Sequence, residues 1–265
     1  MAYWITKFGS TDLSQISLRQ RDELRADLQL VSLPGGAVHN PNGAAQARVR
    51  LPQTITCDSE YVEATAGAFR TALYALRALV GSYATLYRSP DGEAANSESI
   101  PASLEAITMN RDADNLLVMG VSLRFQAQAE VWDGAAHTET ITLGASPKSQ
   151  DCDNDGNGIQ RAVTITVTAS GSPITAVTIE NLETGHVSKV TYSGSIAVGE
   201  SLVIDCGAET VRNDGDNDYA HLTRETGHGI REWLRLMPGA NTIRVTRTGG
   251  DNASTCVLTY NDGWM

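Results

Sequence analysis

The strongest metal-binding pattern in the chain is Asp151-Cys152-Asp153-Asn154-Asp155-Gly156-Asn157-Gly158-Ile159. Carboxylates at alternate positions set hard oxygen ligands on one side of a loop, and a glycine at the sixth place permits the sharp turn of a calcium site. The pattern then departs from that loop. Its twelfth place is Ala162, where a bidentate Glu would stand, Gly158 holds the eighth place, and the apolar Ile159 comes one position late. Cys152 adds little for a hard cation. A solvated interdomain linker is the competing reading, and the departures favour it. Calcium held by Asp151, Asp153 and Asp155 is the one cofactor these residues suggest; none other is implied.

The remaining reactive residues form no catalytic constellation. Asn213-Asp214-Gly215-Asp216-Asn217-Asp218 is a second acidic run, better read as a loop tip than as a metal site. The histidines His39, His137, His186, His221 and His228 show no metalloprotease spacing. No nucleophile elbow, Walker loop or dinucleotide fingerprint occurs. Carboxylates are plentiful, but sequence cannot say which two would converge as a glycosidase pair. The chain therefore reads as no enzyme. Cys57, Cys152, Cys206 and Cys256 are far apart with no CxxC pair, so a zinc cluster is not expected.

Composition narrows the partners. A formal charge of −11 over 265 residues disfavours a nucleic-acid-gripping surface. No apolar run is long enough for a transmembrane helix, and the start Met1-Ala2-Tyr3-Trp4-Ile5-Thr6-Lys7 lacks a secretory signal pattern. Folding in a reducing cytoplasm, without membrane insertion, is expected.

The elements that would position any site are mostly strands. There are 24 glycines and few aromatics, and Val, Ile and Thr fall in short runs. Leu24, Ala26, Leu28 and Leu30 alternate, as do Ala45, Ala47, Val49 and Leu51, so both stretches predict half-buried strands around a turn-rich loop. Phe69, Leu73, Leu76, Val80 and Tyr83 line one helical face and predict a helix over about 60–83, capped by Asp58 or Ser59 and stopped near Gly81. Ala84 to Arg88 predicts a strand, and residues 93–103 a loop. Val121 to Val131 alternates without a break, which predicts a strand of roughly 35 Å ended by Trp132-Asp133-Gly134. Periodicity is lost over 136–160, which predicts a linker. It resumes from Ala162 with turns every 8 to 12 residues, as in a β-sandwich. The fold class is thus mainly β with one helix (α+β). The domains are 1–135, a linker at 136–160, and a C-terminal sandwich at 161–265.

Two turn-bounded runs, Gly199-Glu200-Ser201-Leu202-Val203-Ile204-Asp205 and Leu236-Met237-Pro238-Gly239-Ala240-Asn241-Thr242-Ile243, carry a resemblance. With the strand–helix–long-strand layout before them, they resemble the distal tail proteins of long-tailed, siphovirus-like bacteriophages. The resemblance implies a ring-forming N-terminal domain followed by a galectin-like antiparallel sandwich. It implies a non-enzymatic virion protein at the tail tip, a hexameric ring joining the tail tube to the adsorption apparatus and leaving a channel for DNA. The implied partners are five further copies, the tail tube protein, and a tail hub or fibre protein. The N-terminal halves would pair edge strands between copies. Phe69, Leu73, Leu76 and Val80 would pack the helix on a sheet, opposite Val121, Leu123, Phe125 and Val131. Acidic residues facing the lumen would let DNA slide without sticking.

A second reading is a carbohydrate-binding sandwich for host-surface attachment, with Trp233 or Trp264 as the ring that stacks on a sugar. Trp233 lies beside an apolar strand, which favours a core role instead.

Overall fold

The computed structural model describes residues 3–13, 18–20, 54–62, 74–90, 97–111, 118–129, 131–183, 188–224 and 233–265. Two compact units emerge. Among the described residues, the first takes in the chain up to Gly134 together with Met265, and the second is Ala135–Trp264. The strands expected at 24–30 and 45–51 lie outside the described residues.

The first unit is built from β1 (Trp4–Phe8), β2 (Thr11–Asp12), β3 (Leu18–Gln20), β4 (Thr54–Val62), a helical turn α1 at 74–78, β5 (Tyr83–Ser89), β6 (Glu98–Arg111) and β7 (Val118–Ala127). Every pairing is antiparallel, and the pairings form a circle: β1 with β5, β5 with β6, β6 with β7, β7 with β4, β4 with β3, and β3 with β1. The strands therefore close a small barrel within one chain, which removes most of its sheet edges. Period-two alternation explains the filling. Ile5, Phe8, Ile55, Cys57, Leu86, Ile100, Ala102, Leu104, Val121, Leu123, Phe125 and Ala127 are buried. Phe8 and Phe125 meet in a tilted pair with centroids 5.2 Å apart.

Several expectations need correction here. Residues 60–62 are strand, not helix: Glu60, Tyr61 and Val62 pair with Gly120, Met119 and Val118. Asp58 and Ser59 sit in the same ladder, so neither stands at a helix start. Long-range pairing overrides the helical spacing there. The described helix is the short stretch 74–78, where Leu76 is buried while Val80 and Tyr83 are exposed. Gly81 does end it, at φ +82°. Phe69 and Leu73 fall outside the described residues. The expected loop at 93–103 contains the first half of β6, whose small alternating residues suit a barrel interior. The long strand ends at Ala127, not Val131; residues 128–129 and 131 are bends, and Trp132 opens a new strand.

That strand is β8 (Trp132–Thr142), whose residues from Ala135 onward belong to the second unit. The unit continues with β9 (Lys148–Asp151), β10 (Thr164–Thr168), β11 (Ile174–Asn181), β12 (Ser188–Tyr192), β13 (Ser201–Asp205), β14 (Thr210–Asn213), β15 (Asp216–Asn217), a 3-10 turn at Tyr219–His221, β16 (Leu222–Arg224), β17 (Thr242–Gly249) and β18 (Thr255–Trp264). One sheet runs β15-β14-β13-β10-β18-β8 and the other β16-β12-β11-β17-β9. Inward residues of both sheets make one core, with Ile165, Val167, Leu202, Ile204 and Leu258 from the first and Val177, Ile179, Val190, Ile243 and Val245 from the second. This is the expected sandwich. The span 136–160 is not a linker: it contains most of β8, all of β9 and a segment after it whose residues are alternately buried.

Candidate functional site

The segment after β9 answers the calcium pattern. From Asp151 to Gln160 exposure alternates, with Cys152, Asn154, Gly156, Gly158 and Gln160 buried and Asp151, Asp153 and Asp155 exposed. The alternate carboxylates thus lie on the wet side of the stretch 151–155, ahead of the bends at 156–158. Asp151 Oδ1 accepts from Thr242 Oγ1 at 3.1 Å. Asn154 makes the tight contacts instead. Its amide donates to the Gly158 carbonyl at 2.8 Å, and its Oδ1 accepts from the Gly263 N–H at 2.9 Å and the Gly156 N–H at 3.2 Å. Among the described residues, no three His, Cys, Asp or Glu side chains are grouped to hold a metal ion.

The second acidic run is a hairpin tip. Asp214 and Gly215 take φ +50° and +87° between β14 and β15. Asp218 turns back and accepts from the Tyr192 hydroxyl and pairs with His221 Nδ1. Those two hydrogen bonds hold its carboxyl below the usual carboxylate range. Beside it, Trp233 is 8% exposed. The Arg224 guanidinium lies over its ring at 4.8 Å, and the Tyr219 ring is 6.0 Å away. The Trp233 ring is therefore already stacked by protein. Trp264 is half-buried at the end of β18, so the structure does not bring the two tryptophans forward as an exposed pair. His228 lies outside the described residues.

Sequence reasoning missed the polar knot beneath these loops. Asn241, fully buried, accepts the Met237 N–H at 2.8 Å and donates to the Met237 and Gly239 carbonyls, both at 2.8 Å. Asn181 donates to Asn241 Oδ1 at 2.8 Å and to the Arg235 carbonyl at 2.9 Å. Side-chain amides replace a sheet ladder where the chain runs without one. The Pro238-Gly239-x-Asn241 spacing is the available signal: it marks a turn and part of the resemblance, but not the hydrogen bonds of the Asn241 side chain.

The first unit carries a different kind of surface. The β6–β7 pairing continues from Ala102↔Ala127 to Arg111↔Met119, whereas β5 leaves β6 at Ser103. A bulge at Glu105 marks the departure, and Glu105 pairs with Arg124 at 3.1 Å. The strands β4, β7 and β6 therefore run beyond the barrel as a three-stranded arm. In the sequence, the apolar phase slips from Ile100, Ala102 and Leu104 to Ile107, which is the trace of this bulge.

With this geometry in view, the comparisons with known proteins fall into place. Residues 158–264 match the family described as siphovirus-type tail component, C-terminal domain. No curated protein is significantly similar in sequence. The crystal structure of SPP1 Dit, described as a paradigm of the hub adsorption apparatus in phages infecting Gram-positive bacteria, superposes with a TM-score of 0.62. The identity is 16%, covering 97% of this chain and 98% of that one. The phage p2 baseplate in its activated conformation matches at TM-scores of 0.37 with strontium and 0.38 with calcium. Both pairs are 10% identical over 97% of each chain, a likeness too loose for structural argument. Residues 158–264 thus match a siphovirus-type tail component C-terminal domain in sequence, and the chain along its length is similar in fold to SPP1 Dit.

Proposed function

We propose that this protein is a structural ring component of a phage tail tip, assembling as a hexamer between the tail tube and the hub or fibre proteins and leaving a channel for DNA. The match of residues 158–264 to a tail component domain carries this reading. The closed barrel is compatible with this reading, since identical copies of one unit can be related by a closed ring symmetry. The net charge of −11 is compatible with a lumen that does not grip DNA. Protein stacking on Trp233 leaves the sugar-binding alternative without its best platform. Light scattering across concentration tests the proposal. A species of six times 28.3 kDa, about 170 kDa, is the expected limit. A strict monomer, alone and with the cognate tube and hub proteins added, sinks it.

A further inference from the structure

We propose that Asp214-Gly215, at the tip of the β14–β15 hairpin, is a covalent modification site at which the chain rearranges to isoaspartate, while the fold keeps the other Asp-Gly and Asn-Gly steps of the described residues intact. This modification is independent of any assembly into a ring.

The chemistry needs only the chain and water. The Gly215 nitrogen attacks the carboxyl carbon of the Asp214 side chain, an N–C bond forms, and the nitrogen's proton leaves with a side-chain oxygen as water. Water then opens the succinimide ring at either of its carbonyls. Opening at the main-chain carbonyl leaves the backbone running through the Asp214 side chain, which is isoaspartate, so the water lost on closure is regained on opening. At an Asn-Gly step the leaving group is ammonia, which departs more readily. A following glycine puts no Cβ in the way of ring closure. By sequence alone, Asn157-Gly158 should therefore convert ahead of Asp214-Gly215.

The fold reverses that order. The described residues contain Asp133-Gly134, Asp155-Gly156, Asn157-Gly158, Asp214-Gly215 and Asp262-Gly263, while Asn42-Gly43 and Asp91-Gly92 lie outside them. Gly158 is buried and its N–H donates to the Gly263 carbonyl at 2.8 Å, so ring closure there must first break a buried hydrogen bond. Asn154 Oδ1 holds the N–H of Gly156 at 3.2 Å and that of Gly263 at 2.9 Å, and both glycines are buried. Asp133-Gly134 lies inside β8, where Asp133 pairs with Ser99. The hairpin tip is different. Asp214 and Gly215 are both exposed, and nothing lies within 4 Å of the place a Gly215 Cβ would take. The Asp214 N–H donates to the Ser201 carbonyl at 3.0 Å, but among the described residues the Gly215 N–H has no acceptor. Its nitrogen is the one free to attack. Exposed loop tips are also where a local rearrangement costs the rest of a domain least. Isoaspartate lengthens the main chain inside this tight turn, so the pairing of Asn213 with Asp216 and of Arg212 with Asn217 cannot keep its register.

The test ages the full chain for weeks in warm neutral buffer, once folded and once unfolded in urea. Trypsin then releases residues 213–224 and 149–161 as separate peptides, cut after Arg212, Arg224, Lys148 and Arg161. Methyl labelling by an isoaspartate methyltransferase reads each peptide. From the folded chain the label should appear in 213–224 and stay absent from 149–161. From the unfolded chain 149–161 should label first. The folded variant Asp214→Glu, whose longer side chain closes the ring poorly, should lose the label from 213–224, and Asp214→Asn should gain it faster than the parent. A folded chain that labels 149–161 first, that labels neither peptide, or that keeps the label in Asp214→Glu overturns the proposal, as does the same order of labelling in the folded and unfolded chains.

Discussion

Arg88 Nε donates to Glu98 Oε2 across 2.6 Å inside the first unit. The guanidinium also lies 3.8 Å from the Tyr3 ring and 4.3 Å from the Trp132 ring, and Nη2 donates to the Met265 carbonyl at 3.2 Å. Burial dominates both groups: it lowers the Arg88 pKa and raises that of Glu98, each against the attraction of the other. A pair so placed repays its desolvation only while complete. Arg88→Met or Glu98→Gln alone should cost about 3–5 kcal/mol in urea unfolding, and the double variant Arg88→Met/Glu98→Leu should cost less than either. The sign with pH follows from Glu98. Its folded pKa lies above the unfolded value of about 4.3, so its contribution is full below that pH and is lost as pH rises through the folded value. The double variant should lack this slope.

Asn241 should be among the least replaceable polar residues of the second unit. Asn241→Ala removes the acceptor of the Met237 N–H, while Asn154 still donates to the Gly239 carbonyl at 3.0 Å and to the Met237 carbonyl at 3.4 Å, so the cost should be about 1–3 kcal/mol for the one group left unpaired. Asn241→Asp keeps the shape but loses the amide donors and brings a buried charge, so it should fare no better. Calorimetry on both variants decides this. A loss below about 1 kcal/mol for Asn241→Ala would mean that water replaces the side chain.

The sandwich was legible because both its faces alternate: Val163, Ile165 and Val167, and Ile243 and Val245, announce strands without knowledge of their partners. The barrel was not. Its closure depends on β3 and β4, whose pairing joins residues far apart in sequence, and a period-two pattern says nothing about which strand lies next to which. The helix reading over 60–83 failed at its start because Tyr61 and Val62 favour strands and find a ladder on β7. The period-two spacing of Asp151, Asp153 and Asp155 has two readings, a ligand spacing and the wet side of an extended segment. Alternate acids are also what the wet side of an extended segment looks like, and only the burial of Cys152 and Asn154 separates the two.

Two glycines should respond to alanine for different reasons. A Cβ on Gly156 would come within 1.9 Å of the Gly263 carbonyl oxygen, backbone against backbone. Gly156→Ala must shift one of two buried segments and should cost about 3 kcal/mol. Gly215 has open space around it but takes φ +87°. Gly215→Ala should cost about 1–2 kcal/mol, from backbone strain alone. Paired urea melts would show the order, and a Gly156→Ala variant as stable as Gly215→Ala would mean that the 152–160 segment is free to move away.

Asp218 should give the second unit an acid-sensitive seam. Its carboxylate gathers the Tyr192 hydroxyl, from a core side chain of β12, and the His221 ring, at the entry to β16. The depressed pKa sets the direction: the contribution is present above the unfolded value of about 3.9 and is lost as pH falls through the lower folded value. The group stands close to solvent, so its worth should stay below about 1 kcal/mol. Asp218→Asn should therefore unfold at slightly lower urea than the parent at pH 7, and the two should converge once the pH has fallen below the carboxyl's folded value. Hydrogen exchange should place the difference at the β12–β16 pairing, where Tyr192 faces Leu222. A gap that persists unchanged into acid would assign the loss to packing of the Asp218 side chain rather than to its charge.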